Sequence, residues 1–140
     1  MLIRQCLNGQ WELDYKQQGQ GSLVNFSPKL SAEVPGEVHL DLEREGVIKD
    51  PFKNDQAQEC SWMEEQEWWY RKTFIPRPEL EGRQVEIIFE GLDTFATIFL
   101  NGHKLGSHAN MYTPCIVDAT NQLVFNKKNE LIVYLASPIA

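Results

Sequence analysis

The sequence has no apolar run approaching the ~20 residues that a membrane-spanning helix needs. It has no block of Lys or Arg either: 13 basic residues against 20 acidic ones give a formal net charge of −7. A chain of that sign repels phosphate backbones and anionic surfaces on average, so neither nucleic acid nor a membrane is an expected partner. Cysteine is scarce. Cys6, Cys60 and Cys115 are odd in number and far apart, which fits neither a disulfide framework nor a paired CxxC metal site, and they read as reduced thiols. The opening stretch, Met1 to Gly9, has too short an apolar run for a signal peptide, which leads to an expected cytoplasmic location. With three scattered histidines and no cluster at ligand spacing, no metal and no cofactor are expected.

What is present is the composition of a folded protein, 42% hydrophobic and 24% charged. Its 140 residues suit one domain spanning 1–140. Strand signals dominate. Trp11, Leu13 and Tyr15 alternate with Glu12 and Asp14, and a polar, Gly-rich loop follows at 17–22. Residues 68–75 form a run rich in aromatic and β-branched side chains that ends at Pro76. Between Val85 and Glu90, Val85, Ile87 and Phe89 fall on one face and Glu86 and Glu90 on the other, as in a strand with one wet face. Residues 94–100 lead into Asn101-Gly102, the dipeptide suited to the two positive φ angles of a type I′ hairpin, with a return at 103–105. Further strands are expected at 115–118 and 130–136, the last apolar on both faces and therefore central. Only 37–45, which lacks Gly and Pro, spaces Val38 and Leu42 four apart and stops at Gly46, reads as a helix.

Strands at this spacing with at most one short helix predict an all-β, antiparallel sandwich. The chain ends directly after its strongest apolar strand, which predicts an unprotected edge, a domain cut before its last strands, and a fragment that self-associates.

Four motifs in order carry a resemblance: Val34-Pro35-Gly36-Glu37-Val38-His39, Lys49-Asp50-Pro51-Phe52, Trp68-Trp69-Tyr70-Arg71-Lys72-Thr73-Phe74, and Gly91-Leu92-Asp93-Thr94-Phe95-Ala96-Thr97-Ile98-Phe99-Leu100-Asn101-Gly102. Together they resemble the N-terminal, sugar-binding-type domain of family 2 glycoside hydrolases, and the continuation through Ser107-His108-Ala109-Asn110-Met111-Tyr112 is closest to β-mannosidases. The resemblance implies a jelly-roll sandwich of the galactose-binding-like class, packed in a parent enzyme against further domains and a (β/α)₈ barrel. Such enzymes are retaining hydrolases whose two glutamates stand about 5–5.5 Å apart so that one can attack the anomeric carbon. Both belong to the barrel, and a barrel of about 250 residues has no room in this chain. No catalytic residue is therefore assigned here. The family usually carries an Asn-Glu pair after the DPF motif, where this sequence has Gln56-Ala57.

The resemblance also points to Asn110, whose aligned position in related β-galactosidases sends a polar side chain into the sugar subsite. An amide both donates to and accepts from hydroxyls, and it also caps turns. His108 lies two residues earlier and shares a face with Asn110 if the strand continues, either touching a hydroxyl or supporting Asn110. Trp68 could stack on the C–H face of a sugar, or it could be core, since adjacent Trp68 and Trp69 must point to opposite faces. Asp93 could bind a hydroxyl or satisfy turn amides. Glu64, Glu65 and Glu67 read as a solvated face.

The implied partners are a carbohydrate, the terminal sugar of a glycoside, and the remaining domains of the parent. The implied function is the pocket-completing domain of a β-mannosidase acting on terminal non-reducing β-D-mannose. A free-standing carbohydrate-binding module, a purely structural domain, and the same domain of a β-galactosidase, β-glucuronidase or exo-β-glucosaminidase stay open as alternatives.

Overall fold

The computed structural model describes residues 2–35, 65–92, 95–110 and 112–136. Among these the architecture is antiparallel β with no α-helix, and a 3-10 turn forms at Pro78–Leu80. No helix among the described residues is long and apolar enough to cross a membrane. The expected helix at 37–45 lies outside the described residues, as do the VPG motif beyond Pro35, the DPF motif, Gln56-Ala57, Cys60, Glu64 and Asp93. The strands are β1 (Gly9–Gln17), β2 (Leu30–Val34), β3 (Gln66–Phe74), β4 (Glu86–Phe89), β5 (Ala96–Leu100), β6 (His103–His108), β7 (Cys115–Asp118) and β8 (Asn129–Leu135). The chain divides into two compact units, one built from Met1–Leu7 and Arg71–Leu135, the other from Asn8–Tyr70 and Ala136–Ala140, so that the residues of β3 are divided between them.

In the first unit β8 pairs with β5 and β5 with β6, both antiparallel. Register sets the core: Ile98 faces Val133 and Leu100 faces Leu131 across the ladder, and all four are buried. Each such side chain contributes about 1.5–3 kcal/mol on leaving water. Ile132, on the opposite face of β8, is also buried, in line with the strand's two apolar faces. The hairpin forms as its dipeptide predicts, with Asn101 at φ 51° and Gly102 at φ 83°, and the return strand runs on to His108 with a bulge that leaves Leu105 unpaired.

The second layer of this unit is the β4–β7 pair, in which Ile87 faces Val117. Both are buried, while Ile88 and Ile116 on the outer face are exposed. Gly106 lets the layers meet, since a Cβ there would lie 3.1 Å from Val117 Cγ1.

Asn101 does more than turn the chain. Its Nδ2 donates to Gln122 O at 2.9 Å and to Asn129 Oδ1 at 2.8 Å, and its Oδ1 accepts the Glu130 amide at 2.9 Å. Asn129, wholly buried, receives the Val124 amide at 2.9 Å and donates to Val124 O and Lys127 O at 2.7 and 3.0 Å. Two asparagines thus tie the hairpin tip to the loop that enters β8.

In the second unit the strand order is β2-β1-β3. Trp11 pairs with Ala32 and Leu13 with Leu30, which explains the burial of all four. β2 is absent from the strand signals read above, although Leu30 and Ala32 alternate with exposed Ser31 and Glu33. Two polar residues expected on wet faces are buried instead. Asp14 is shielded completely because Lys29 and Lys16 reach it and the Ser27 amide donates at 3.0 Å. Glu67 is shielded because the loop carries glycine opposite it, so that the Gly21 amide approaches to 2.5 Å.

Candidate functional site

The β5–β6 hairpin delivers the loop that carries the candidate residues. Ala96 pairs with His108, the last residue of β6, so the chain leaves the sheet at that point and turns. The turn is built by hydrogen bonds of Asn110. Its backbone oxygen accepts the Thr113 amide at 3.4 Å, an i to i+3 closure, and its side-chain Oδ1 accepts the Tyr112 amide at 2.9 Å. Asparagine at the first position of a turn does this because its side chain mimics one more peptide unit.

His108 closes the same turn from the strand side. Its Nε2 lies 2.5 Å from Asn110 O and 3.0 Å from Thr113 O. Both partners are carbonyl oxygens, which only accept, so Nε2 carries the proton and donates to both. The half-buried ring and the exposed amide therefore meet through the main chain of Asn110. A continuous strand with both side chains on one face, as the spacing of two predicts, does not form, because β6 stops at His108.

Chemistry fixes the orientation of the Asn110 amide. The Tyr112 N–H must meet an acceptor, which assigns that atom as Oδ1 and leaves Nδ2 on the exposed side. Among the described residues Nδ2 has no hydrogen-bond partner. Tyr112 beside it is 87% exposed, and Phe95, next to Ala96 at the same end of the hairpin, is 57% exposed. An exposed amide donor with two exposed aromatic rings from the same hairpin end can hydrogen-bond a hydroxyl and cover a C–H face. Neither Tyr112 nor Phe95 stands out in the sequence as a ligand residue, but an aromatic two residues after a turn-forming Asn was the available signal.

Trp68 lies in the other unit. It is 8% exposed, and its ring is tilted against Tyr15 at a centroid distance of 5.3 Å. Trp69 is buried as well. The two buried carboxylates among the described residues are engaged in packing contacts: Asp14 is ion-paired with Lys29 and Lys16, and Glu67 accepts from Gly21. Cys115 is buried and its thiol is pushed up by burial, while Cys6 is exposed.

Residues 11–140 match the family described as glycosyl hydrolase 2 galactose-binding domain-like. The chain belongs to that family. Its antiparallel layers are accordingly those of a galactose-binding-like jelly roll. Beta-mannosidase B of Thermothelomyces thermophilus is 40% identical to this family 2 domain over 102 residues, 73% of the chain and 12% of that protein. The beta-mannosidase of Rattus norvegicus is 35% identical over 116 residues, 82% of the chain and 12% of that protein. The crystal structure of the beta-D-mannosidase from Dictyoglomus thermophilum superposes with a TM-score of 0.80 at 37% identity, covering 94% of this chain and 15% of that one. A beta-glucuronidase of Lactobacillus rhamnosus reaches a TM-score of 0.71 at 20% identity, over 95% of this chain and 21% of its own, a likeness of fold. The chain spans about one-eighth of the length of the curated relatives it matches.

Proposed function

We propose that this chain is the sugar-binding-type domain of a retaining β-mannosidase that removes terminal non-reducing β-D-mannose, and that it serves the reaction by placing Asn110 against the sugar rather than by supplying a catalytic group. The observation that carries the mannosidase reading is the superposition over 94% of the chain at 37% identity on a beta-D-mannosidase. The glucuronidase likeness, at 20% identity, supports the fold and not a second substrate. Asn110 is favoured because its turn uses Oδ1 alone, so that Nδ2 remains available to a hydroxyl. Trp68, buried against Tyr15, has the placement of a packing residue.

The test uses the full-length protein that contains this domain, assayed on aryl β-D-mannoside, β-D-galactoside and β-D-glucuronide. Preferential turnover of the mannoside is expected, and preference for another glycoside would overturn the reading. For Asn110 the informative variant is Asn110→Asp, which keeps the acceptor that caps the turn and removes the donor. Its melting temperature should match the parent's, and kcat/KM should fall roughly 5- to 150-fold, equivalent to about 1–3 kcal/mol for a lost hydrogen bond to a buried partner. Unchanged kcat/KM would reduce Asn110 to a turn residue.

A further inference from the structure

We infer that His108 is a positioning residue: its Nε2–H, shared between Asn110 O and Thr113 O, holds the turn that presents the Asn110 amide, and that donor is not offered to a sugar. The inference rests on the proposed contact between Asn110 and the terminal sugar. Three observations carry it. The single ring proton is committed to two carbonyls, at 2.5 and 3.0 Å, so no Nε2 donor remains for a hydroxyl. One of those carbonyls belongs to Asn110 itself, which fixes the backbone from which the amide projects. The other belongs to the residue whose amide closes the turn onto Asn110 O, so that the ring bridges both ends of the turn. His108 is also the last residue of β6, cross-strand from Ala96. The clamp is therefore anchored in the sheet and transmits its rigidity to an otherwise exposed loop.

Positioning and contact predict different couplings between the two residues. If His108 acts through Asn110, then His108→Phe, which keeps a ring and removes the donor, lowers kcat/KM of the full-length protein by an amount comparable to Asn110→Asp. Combining the two variants then costs less than about twofold beyond either alone, the non-additivity of residues acting as one unit. His108→Gln places a two-proton amide near the Nε2 position and should restore most of the loss, which a defect of general folding would not show. Nitrogen-15 NMR of histidine-labelled protein should find the neutral His108 ring protonated at Nε2.

Each contrary result is decisive. Multiplicative losses in the double variant would make His108 a direct sugar contact and overturn the inference. An unaffected His108→Phe beside an impaired Asn110→Asp would overturn it while leaving the Asn110 contact standing. Loss in His108→Phe with an unaffected Asn110→Asp would remove the Asn110 reading and this one with it. A proton on Nδ1 would refute the clamp without reference to activity.

Discussion

Asn129 is the side chain whose loss should be felt most. It is fully buried and makes four hydrogen bonds: Oδ1 accepts from Asn101 Nδ2 and the Val124 amide, and Nδ2 donates to the carbonyls of Val124 and Lys127. Asn129→Ala deletes all four at once. Asn101 Nδ2 keeps its bond to Gln122 O, and Lys127 is an exposed residue whose carbonyl water can reach, so two partners are partly compensated. The amide and carbonyl of Val124 lose their partner together. Val124 is itself 43% exposed, so water also replaces part of what its amide and carbonyl lose; at about 1–3 kcal/mol for each orphaned polar group, four partial penalties amount to roughly 2–5 kcal/mol. For a chain of this size that lowers Tm by about 10 °C. Calorimetry and urea denaturation of the variant beside the parent would read it. Asn129→Asp gives a second handle, because it preserves both acceptor bonds but turns a carboxylate oxygen toward two carbonyls. The folded-state pKa of that Asp must rise above its unfolded value, so the variant should be less destabilised at acidic than at neutral pH. A stability loss below about 1 kcal/mol in Asn129→Ala would refute the claim that water and neighbouring groups cannot fully replace the buried Asn129 amide.

Gly21→Ala should cost roughly 1–3 kcal/mol by overpacking, because its Cβ would stand 2.4 Å from Trp69 Nε1 and 2.6 Å from Glu67 Oε1; a melting temperature equal to the parent's would show that the loop can move aside. For Asp14, burial pushes the carboxyl pKa up, but hydrogen bonds from Lys29, the Ser27 amide and Lys16 outweigh it and hold the group below the usual carboxylate value. Its contribution to stability is thus present above the unfolded pKa of about 3.9 and lost as pH falls through the folded value. Lys29→Met, which removes one of those partners, should move the acid-unfolding midpoint upward, and an unmoved midpoint would show that the pair contributes nothing.

Strands were legible where a long run of alternating or apolar residues stood out between turn signals. Val85 to Glu90, with one wet face, and the short apolar run at 115–118 appear as β4 and β7 within a residue or two. Asn101-Gly102 carries its φ requirement in its composition, and the hairpin follows. Leu30–Val34 obeys the same alternation but is only five residues long and flanked by little that marks a strand, so pairing with β1 rather than local pattern completes it. Asp14 and Glu67 mark the limit of alternation. Apart from Lys16 beside Asp14, their partners lie 13 or more residues away, Ser27 and Lys29 for one and Gly21 for the other, and no local pattern encodes a contact of that range.

At the candidate site the difficulty was different in kind. From the sequence, capping a turn and binding a hydroxyl are rival uses of Asn110, because a residue letter does not say which atom is engaged. The structure separates them by atom: the acceptor is spent on the Tyr112 amide and the donor is not. The same holds for His108, for which a hydroxyl contact and support of Asn110 looked equivalent until its protonated nitrogen was seen to face two carbonyls. A turn that consumes only one end of an amide is a rigid mount for the other end, since the bonds that fix Oδ1 also fix the direction of Nδ2. Capping is then a precondition of the proposed contact rather than an alternative to it, which is why Asn110→Ala, removing both atoms, would confuse the two roles and Asn110→Asp separates them.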